Sequence, residues 1–214
     1  IIEMQPNGEF CITKHENSGG LINRETIGEQ VLYEMGDPNH YISPDVCVDF
    51  TSFNINDLGG NKVSISNVAG LPPTDSYKVS ISYFAGYKAS GQLTVSGPNA
   101  YEKAQLTAEI IWKRLKNTGV TFEDTSTEYL GLSSCHGEIN AFPSQINEVV
   151  LRLGVKDSDK NKVNRFGKEL APVITSGPPG ITGFSGGRPK AQEIIAYWPA
   201  LIPKALVHTS VDVV

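Results

Sequence analysis

The residues best suited to chemistry cluster in one stretch, Ser176-Gly-Pro-Pro-Gly-Ile-Thr-Gly-Phe-Ser-Gly-Gly-Arg-Pro-Lys190. Gly and Pro at this density argue against both helix and strand, and a loop of this length is usually functional. Its glycines, Gly177, Gly180, Gly183, Gly186 and Gly187, can bring backbone N–H groups up to a ligand with no side chain in the way. Arg188 adds a planar guanidinium able to fork onto a carboxylate or phosphate, the plain alternative being a surface arginine paired with a neighbouring acid. The expectation is a cradle for an anion.

Two histidines are acid or base candidates. His136 follows Cys135 and precedes Glu138 in a second long loop, and adjacent side chains seldom face one substrate, so His136 is read alone and not as half of a Cys-His nucleophile. His15, beside Glu16 in the first glycine-rich loop, is the other, with a solvated turn histidine as its bland reading. Gly183-Phe-Ser185-Gly-Gly187 fits G-x-S-x-G, but a nucleophile elbow needs a strand before it and a helix immediately after, and the triad would have to use Glu193 with His208. That match is read as accidental. No Gly-Lys-Ser/Thr follows a correctly spaced glycine, and Gly177, Gly180 and Gly183 do not make G-x-G-x-x-G. Asp45 and Asp49 share a strand face without His or Cys at metal spacing. Neither a metal site nor a cofactor is expected.

The elements that must position these residues follow from periodicity. Ile27, Val31 and Met35 recur every fourth residue, giving a helix over Asn23 to Met35, with Thr26 to Glu29 at capping-box spacing and Gly36 as its stop. Asp45 to Asn54 and Lys62 to Val68 alternate, and the turn residues between them suggest a hairpin. Tyr77 to Tyr83 is a further strand. Beyond it comes a unit: strand Ala89 to Ser96, a helix opened by Gly97-Pro98 with Ala104, Ala108, Ile111 and Leu115 inward, strands over Val120 to Tyr129 and Val149 to Val155, a helix with Val163, Phe166 and Leu170 inward, and strand Glu193 to Trp198. The order β-α-β-β-α-β is ferredoxin-like. The fold class is α+β, with an antiparallel ferredoxin-like unit over 88–214 after a smaller α/β segment with a β-hairpin over 1–87. In such a unit the start of the first helix and both long loops share one edge, where a helix N-terminus attracts anions.

With 214 residues, 39% apolar and 19% charged, the chain can bury a sizeable core. A net charge of −5 with no Lys/Arg block argues against nucleic acid or an anionic membrane as partner. Three cysteines, odd and widely spread, suit free thiols in a cytoplasmic protein. The start on Ile1-Ile2 leads to the expectation that an upstream portion exists and that an apolar patch awaits it or another copy in a homo-oligomer.

Ser18-Gly-Gly-Leu-Ile-Asn-Arg-Glu-Thr-Ile-Gly-Glu-Gln-Val-Leu-Tyr-Glu-Met-Gly-Asp-Pro38, Pro44-Asp-Val-Cys-Val-Asp-Phe-Thr51, Ser176-Gly-Pro-Pro-Gly-Ile-Thr-Gly and Gly186-Gly-Arg-Pro-Lys190 are together similar to the AtuA family of acyclic terpene utilisation proteins. The resemblance covers nearly the whole chain. It implies a C-terminal part of a longer α/β protein, and a place in the catabolism of acyclic terpenes or branched acyl-CoA compounds beside biotin-dependent carboxylase subunits. It carries no catalytic residues over. The leading expectation is an enzyme, or a subunit of one, that takes an acyl-CoA or carboxylate ligand. The alternative is a non-catalytic binding or assembly module that completes a larger protein.

Overall fold

The computed structural model describes residues 1–137, 145–183 and 186–213. Helices are mixed with antiparallel sheets, as an α+β chain requires, and two compact units form: Ile1–Val79 with Pro199–Val214, and Ser80–Trp198.

The first unit holds β1 (Ile2–Met4), β2 (Phe10–Ile12), α1 (Arg24–Val31), β3 (Tyr41–Ile42), β4 (Cys47–Asp49), β5 (Asn54–Gly59), β6 (Lys62–Ser66) and β7 (Ala69–Leu71). They make a sheet of order β1-β2-β6-β5 and a smaller one of order β3-β4-β7. Val63 and Ile65 alternate inward along β6 and meet Ile27 of α1 in a small core. Three expectations are corrected. The helix is shorter, because its N-cap is Asn23, whose side chain accepts from Thr26 N while Thr26 Oγ1 accepts from Asn23 N, and it ends at Val31. The run 45–54 is broken, because Asp49 accepts from Thr51 N and starts a 3-10 turn over Phe50–Ser52. The hairpin is therefore β5 with β6, closed by Gly60 and Asn61 at positive φ.

The second unit is built on β8 (Ser76–Ser96) from Ser80 onward, a single strand where two were expected, running through Gly86 at φ 95°. It is followed by α2 (Ala100–Asn117), β9 (Asp124–Leu130), β10 (Glu148–Asp157), α3 (Lys160–Ser176), β11 (Ile181–Gly183) and β12 (Gln192–Pro203). The sheet order is β11-β8-β10-β9, and β12 also pairs with β8. Leu93 stands opposite Leu151, Val95 opposite Val149 and Ala89 opposite Val155, all buried. Ala104, Ala108, Ile111 and Leu115 of α2 and Val163, Phe166, Leu170 and Val173 of α3 pack on that set, so both helices cover one face. Each fully buried Leu, Ile, Val or Phe contributes roughly 1.5–3 kcal/mol, and this core holds the unit together.

Candidate functional site

The stretch 176–190 is not one loop. Its start completes α3, whose C-cap is Gly177, and its middle is β11, which pairs Ile181 with Val95 and Gly183 with Leu93. The strand forms because the edge of β8 offers free backbone partners that outweigh the poor strand propensity of glycine.

One end of the stretch is clasped to the start of α2. Ser96 donates to Gly180 O through its backbone N (2.9 Å) and its Oγ (3.2 Å), and Lys103 Nζ donates to Pro179 O (3.0 Å). Gly180 has φ 85°, and a Cβ there would run into Ser96 Oγ, so the clasp requires glycine on both counts. Asn99, the N-cap of α2, is left-handed at φ 57° and makes no side-chain cap bond. A cleft of about 900 Å³ lies beside it, lined by residues 96–102 and 145–147, with Glu102 an unfavourable neighbour for an anion.

Arg188 belongs to a different place. With Pro189, Gly183 and Gly187 it closes an apolar groove of about 220 Å³ between β8 and α3, floored by Gly91, Leu93, Leu170, Ala171 and Ile174. Gly186, Gly187 and Arg188 also line a cavity of about 460 Å³ with Ser90, Lys190 and Gln192. Among the described residues Arg188 has no hydrogen-bond or ion-pair partner and is exposed. Two residues that sequence reasoning passed over hold the segment down. Gly167 of α3 lets the Pro189 carbonyl approach so closely that a Cβ would collide with it, and Asn164 Oδ1 accepts from Ala191 N (2.9 Å). A glycine on the inward stripe of an amphipathic helix was the available signal.

The candidates are thus divided. Gly180 sits with Lys103, Gly177 caps α3, Gly183, Gly187 and Arg188 line the groove, and Gly186 lines the neighbouring cavity. His136 is exposed in the turn after β9, next to exposed Cys135, and β9 is separated from β11 by β8 and β10 in the sheet. His15 is exposed in the first unit, beside a cavity of about 310 Å³ with Lys14, Glu16, Asn17, Gly60 and Asn61. Glu138 and Ser185 lie outside the described residues. Among the described residues no three His, Cys, Asp or Glu side chains are grouped to hold a metal, and no helix is long and apolar enough to cross a membrane.

Ionic contacts fix the elements around the groove. Glu169 of α3, almost fully buried, accepts from Arg114 Nε of α2 (2.8 Å) and pairs with Arg165 (2.6 Å). Asp157, equally buried at the end of β10, accepts from Asp159 N (2.8 Å) and from Lys162 Nζ (3.1 Å) at the start of α3. The Asp159 N–H first, and then the Lys162 ammonium, hold its carboxyl below the usual aspartate range.

The chain is of the mixed α+β class, and its second unit carries a largely apolar groove bordered by Arg188, which has no partner among the described residues. The chain belongs to the AtuA family: the family model described as acyclic terpene utilisation family protein AtuA matches residues 1–213. No curated protein and no solved structure matches it significantly.

Proposed function

We propose that this chain is the ligand-binding part of an enzyme, or of an enzyme subunit, that acts on branched carboxylates or their acyl-CoA forms during acyclic terpene utilisation. Family membership supports the pathway. The observation that carries the ligand class is Arg188, a guanidinium without a partner among the described residues, bordering a largely apolar groove. A groove of about 220 Å³ is below the roughly 300–1,000 Å³ typical of whole-ligand pockets, so it receives a chain end and not an entire conjugate. In this reading the branched chain lies on Leu170 and Ile174 and the carboxylate meets Arg188. The unit that carries the groove is read as ferredoxin-like, His136 as an acid or base supplied from the β9 turn, and His15 as a second such group.

Calorimetry with a methyl-branched aliphatic acid tests this. Wild type should bind, and Arg188→Lys, which keeps the charge but loses the planar fork, should bind about tenfold more weakly. Unchanged affinity removes Arg188 from the site. Intact binding with lost turnover in His136→Ala supports the acid-base role.

A specific observation also favours an assembly role. Ile81, Tyr83 and Phe84 of β8 and Ile195 and Trp198 of β12 are large, apolar and exposed. Side chains of this kind in neighbouring strands suit an interface with another copy or with a further portion of the protein. Sedimentation equilibrium of wild type and Trp198→Ser separates a homo-oligomer from a monomer.

A further inference from the structure

The face of the second unit's sheet that carries no helix has an ordered pattern. The registers set Lys88 of β8, Lys156 of β10 and Asp124 of β9 in one row, Ser90, Gly154 and Ser126 in the next, and Gln92, Arg152 and Glu128 in the third. Along β8 and β10 the residues between them are the buried ones under the helices, and the registers put the β9 residues on the same side, so all nine face the other way. Gly154 stands at the centre without a side chain and leaves a hollow, lined by Lys88, Lys156, Ser90, Ser126 and Gln192, of about 370 Å³. Ser126 Oγ leans over Gly154 into the space a Cβ would fill, so the glycine is needed for the hydroxyl to stand where it does.

Charge in this hollow is out of balance. Lys88 and Lys156 are direct cross-strand neighbours, an arrangement of like charges that destabilises a sheet. Neither makes a hydrogen bond or ion pair among the described residues, and the hydroxyls of Ser90 and Ser126 have no partner there either. The nearby acids are mostly committed. Glu128 accepts from both Nε (2.6 Å) and Nη2 (2.8 Å) of Arg152, and Glu123 accepts from the hydroxyl and backbone N of Ser158. Among the described residues Asp124 is the one acid lining the hollow. Through Ser90 and Gln192 the hollow adjoins the cavity lined by Arg188 and Lys190, so four cations lie along one track in a chain of net charge −5.

We infer that the Gly154 hollow is a phosphate-binding site, in which the Lys88 and Lys156 ammonium groups and the Ser90 and Ser126 hydroxyls receive a phosphate or diphosphate group. This inference rests on the proposed carboxylate groove only for what lies at the other end of the track. If both hold, the ligand is an apolar group joined to a phosphorylated carrier. Two lysines across a strand pair, with hydroxyls below and bare backbone between, offer converging donors to tetrahedral oxygens and no bulk to exclude them.

The test is calorimetry on the full chain with three probes: inorganic diphosphate, coenzyme A and the free methyl-branched acid. Diphosphate should bind wild type, weaken about tenfold with each of Lys88→Gln and Lys156→Gln, and recover in Lys88→Arg with Lys156→Arg. Arg188→Lys should leave diphosphate binding within about twofold while weakening the branched acid about tenfold. Coenzyme A held more tightly than diphosphate, and weakened by both lysine variants, identifies a phosphorylated carrier as the source. Equal affinities support the same site with free phosphate as its ligand. No diphosphate binding, or equal binding in the double Lys→Gln variant with an unchanged melting temperature, overturns the inference. Dependence of diphosphate on the lysines without dependence of the acid on Arg188 leaves the hollow standing and removes the groove.

Discussion

Arg114 Nε lies 2.8 Å from Glu169 Oε2, joining α2 to α3 across the top of the core, and the Glu169 side chain is almost wholly buried while the arginine is half exposed. The asymmetry decides what each substitution costs. Arg114→Ala with Arg165→Ala leaves a buried carboxylate with no cation and should cost about 3–5 kcal/mol, whereas Glu169→Leu frees two arginines that can reach water and should be neutral to mildly stabilising. Urea denaturation of the three proteins checks the order. A larger loss in Glu169→Leu than in the double arginine variant would show the pair to be a net contributor.

Acid should weaken the second unit through Asp157. Its folded-state carboxyl is held low by Asp159 N and Lys162, so the stabilisation is complete above the unfolded aspartate value and disappears as pH falls through the folded one. Glu128, held low chiefly by its hydrogen bond from Arg152, acts in the same direction. The urea midpoint should therefore decline as pH is lowered from about 5 toward about 2. Asp157→Asn should flatten that decline. An equally steep slope in the variant would place the linkage elsewhere.

Gly167→Ala sets two effects against each other. A helical alanine gains about 1 kcal/mol over glycine. Here the new methyl meets the Pro189 backbone carbonyl, which cannot rotate away as a side chain would. Overpacking of about 1–3 kcal/mol should prevail or the segment should lift off α3. Either way the amides of residues 186–188, 190 and 191 exchange faster, and acid binding weakens. Asn164→Ala, which removes the acceptor for Ala191 N, should act in the same direction at a cost of roughly 1 kcal/mol. Hydrogen exchange resolved to that segment, unchanged in both variants, would separate it from α3.

Ala171→Phe should fill the groove beneath Arg188 without disturbing the core, because Ala171 lines the groove and is only partly buried. The expected result is loss of branched-acid binding with a melting temperature within about 4 °C of wild type, a shift of about 1 kcal/mol or less. Retained binding would put the acid elsewhere.

Periodicity revealed the large elements of the second unit, since Leu93 and Val95, the Ala104 to Leu115 stripe and the Val163 to Leu170 stripe each repeat at the interval of their own structure. It gave the first unit less faithfully. There the strands are two to six residues long, and side-chain bonds at Asn23 and Asp49 decide where elements begin. The glycine-rich stretch was legible as a special segment but not as an edge strand, because what makes β11 is a vacancy on β8, 84 residues earlier by the Ser96 to Gly180 contact. Arg188 stood out by type. Lys88 and Lys156 did not, since 68 residues separate two lysines that only the strand register sets side by side. His136 and Arg188 were expected at a common edge, and the sheet order puts β8 and β10 between the strands nearest them.

The anchoring of the stretch from 177 to 191 bears on how fast a ligand can be captured. Its described flanks are already tied down, at Gly180 by Ser96 and at Ala191 by Asn164, with Lys103 holding Pro179. A ligand entering the groove therefore does not have to organise those flanks first, and the cost of fixing their backbone, about 1–2 kcal/mol for each residue, was met when the protein folded. On the proposed reading, capture by such a surface is limited by encounter and orientation, and affinity differences among branched acids should be written in how long each one stays.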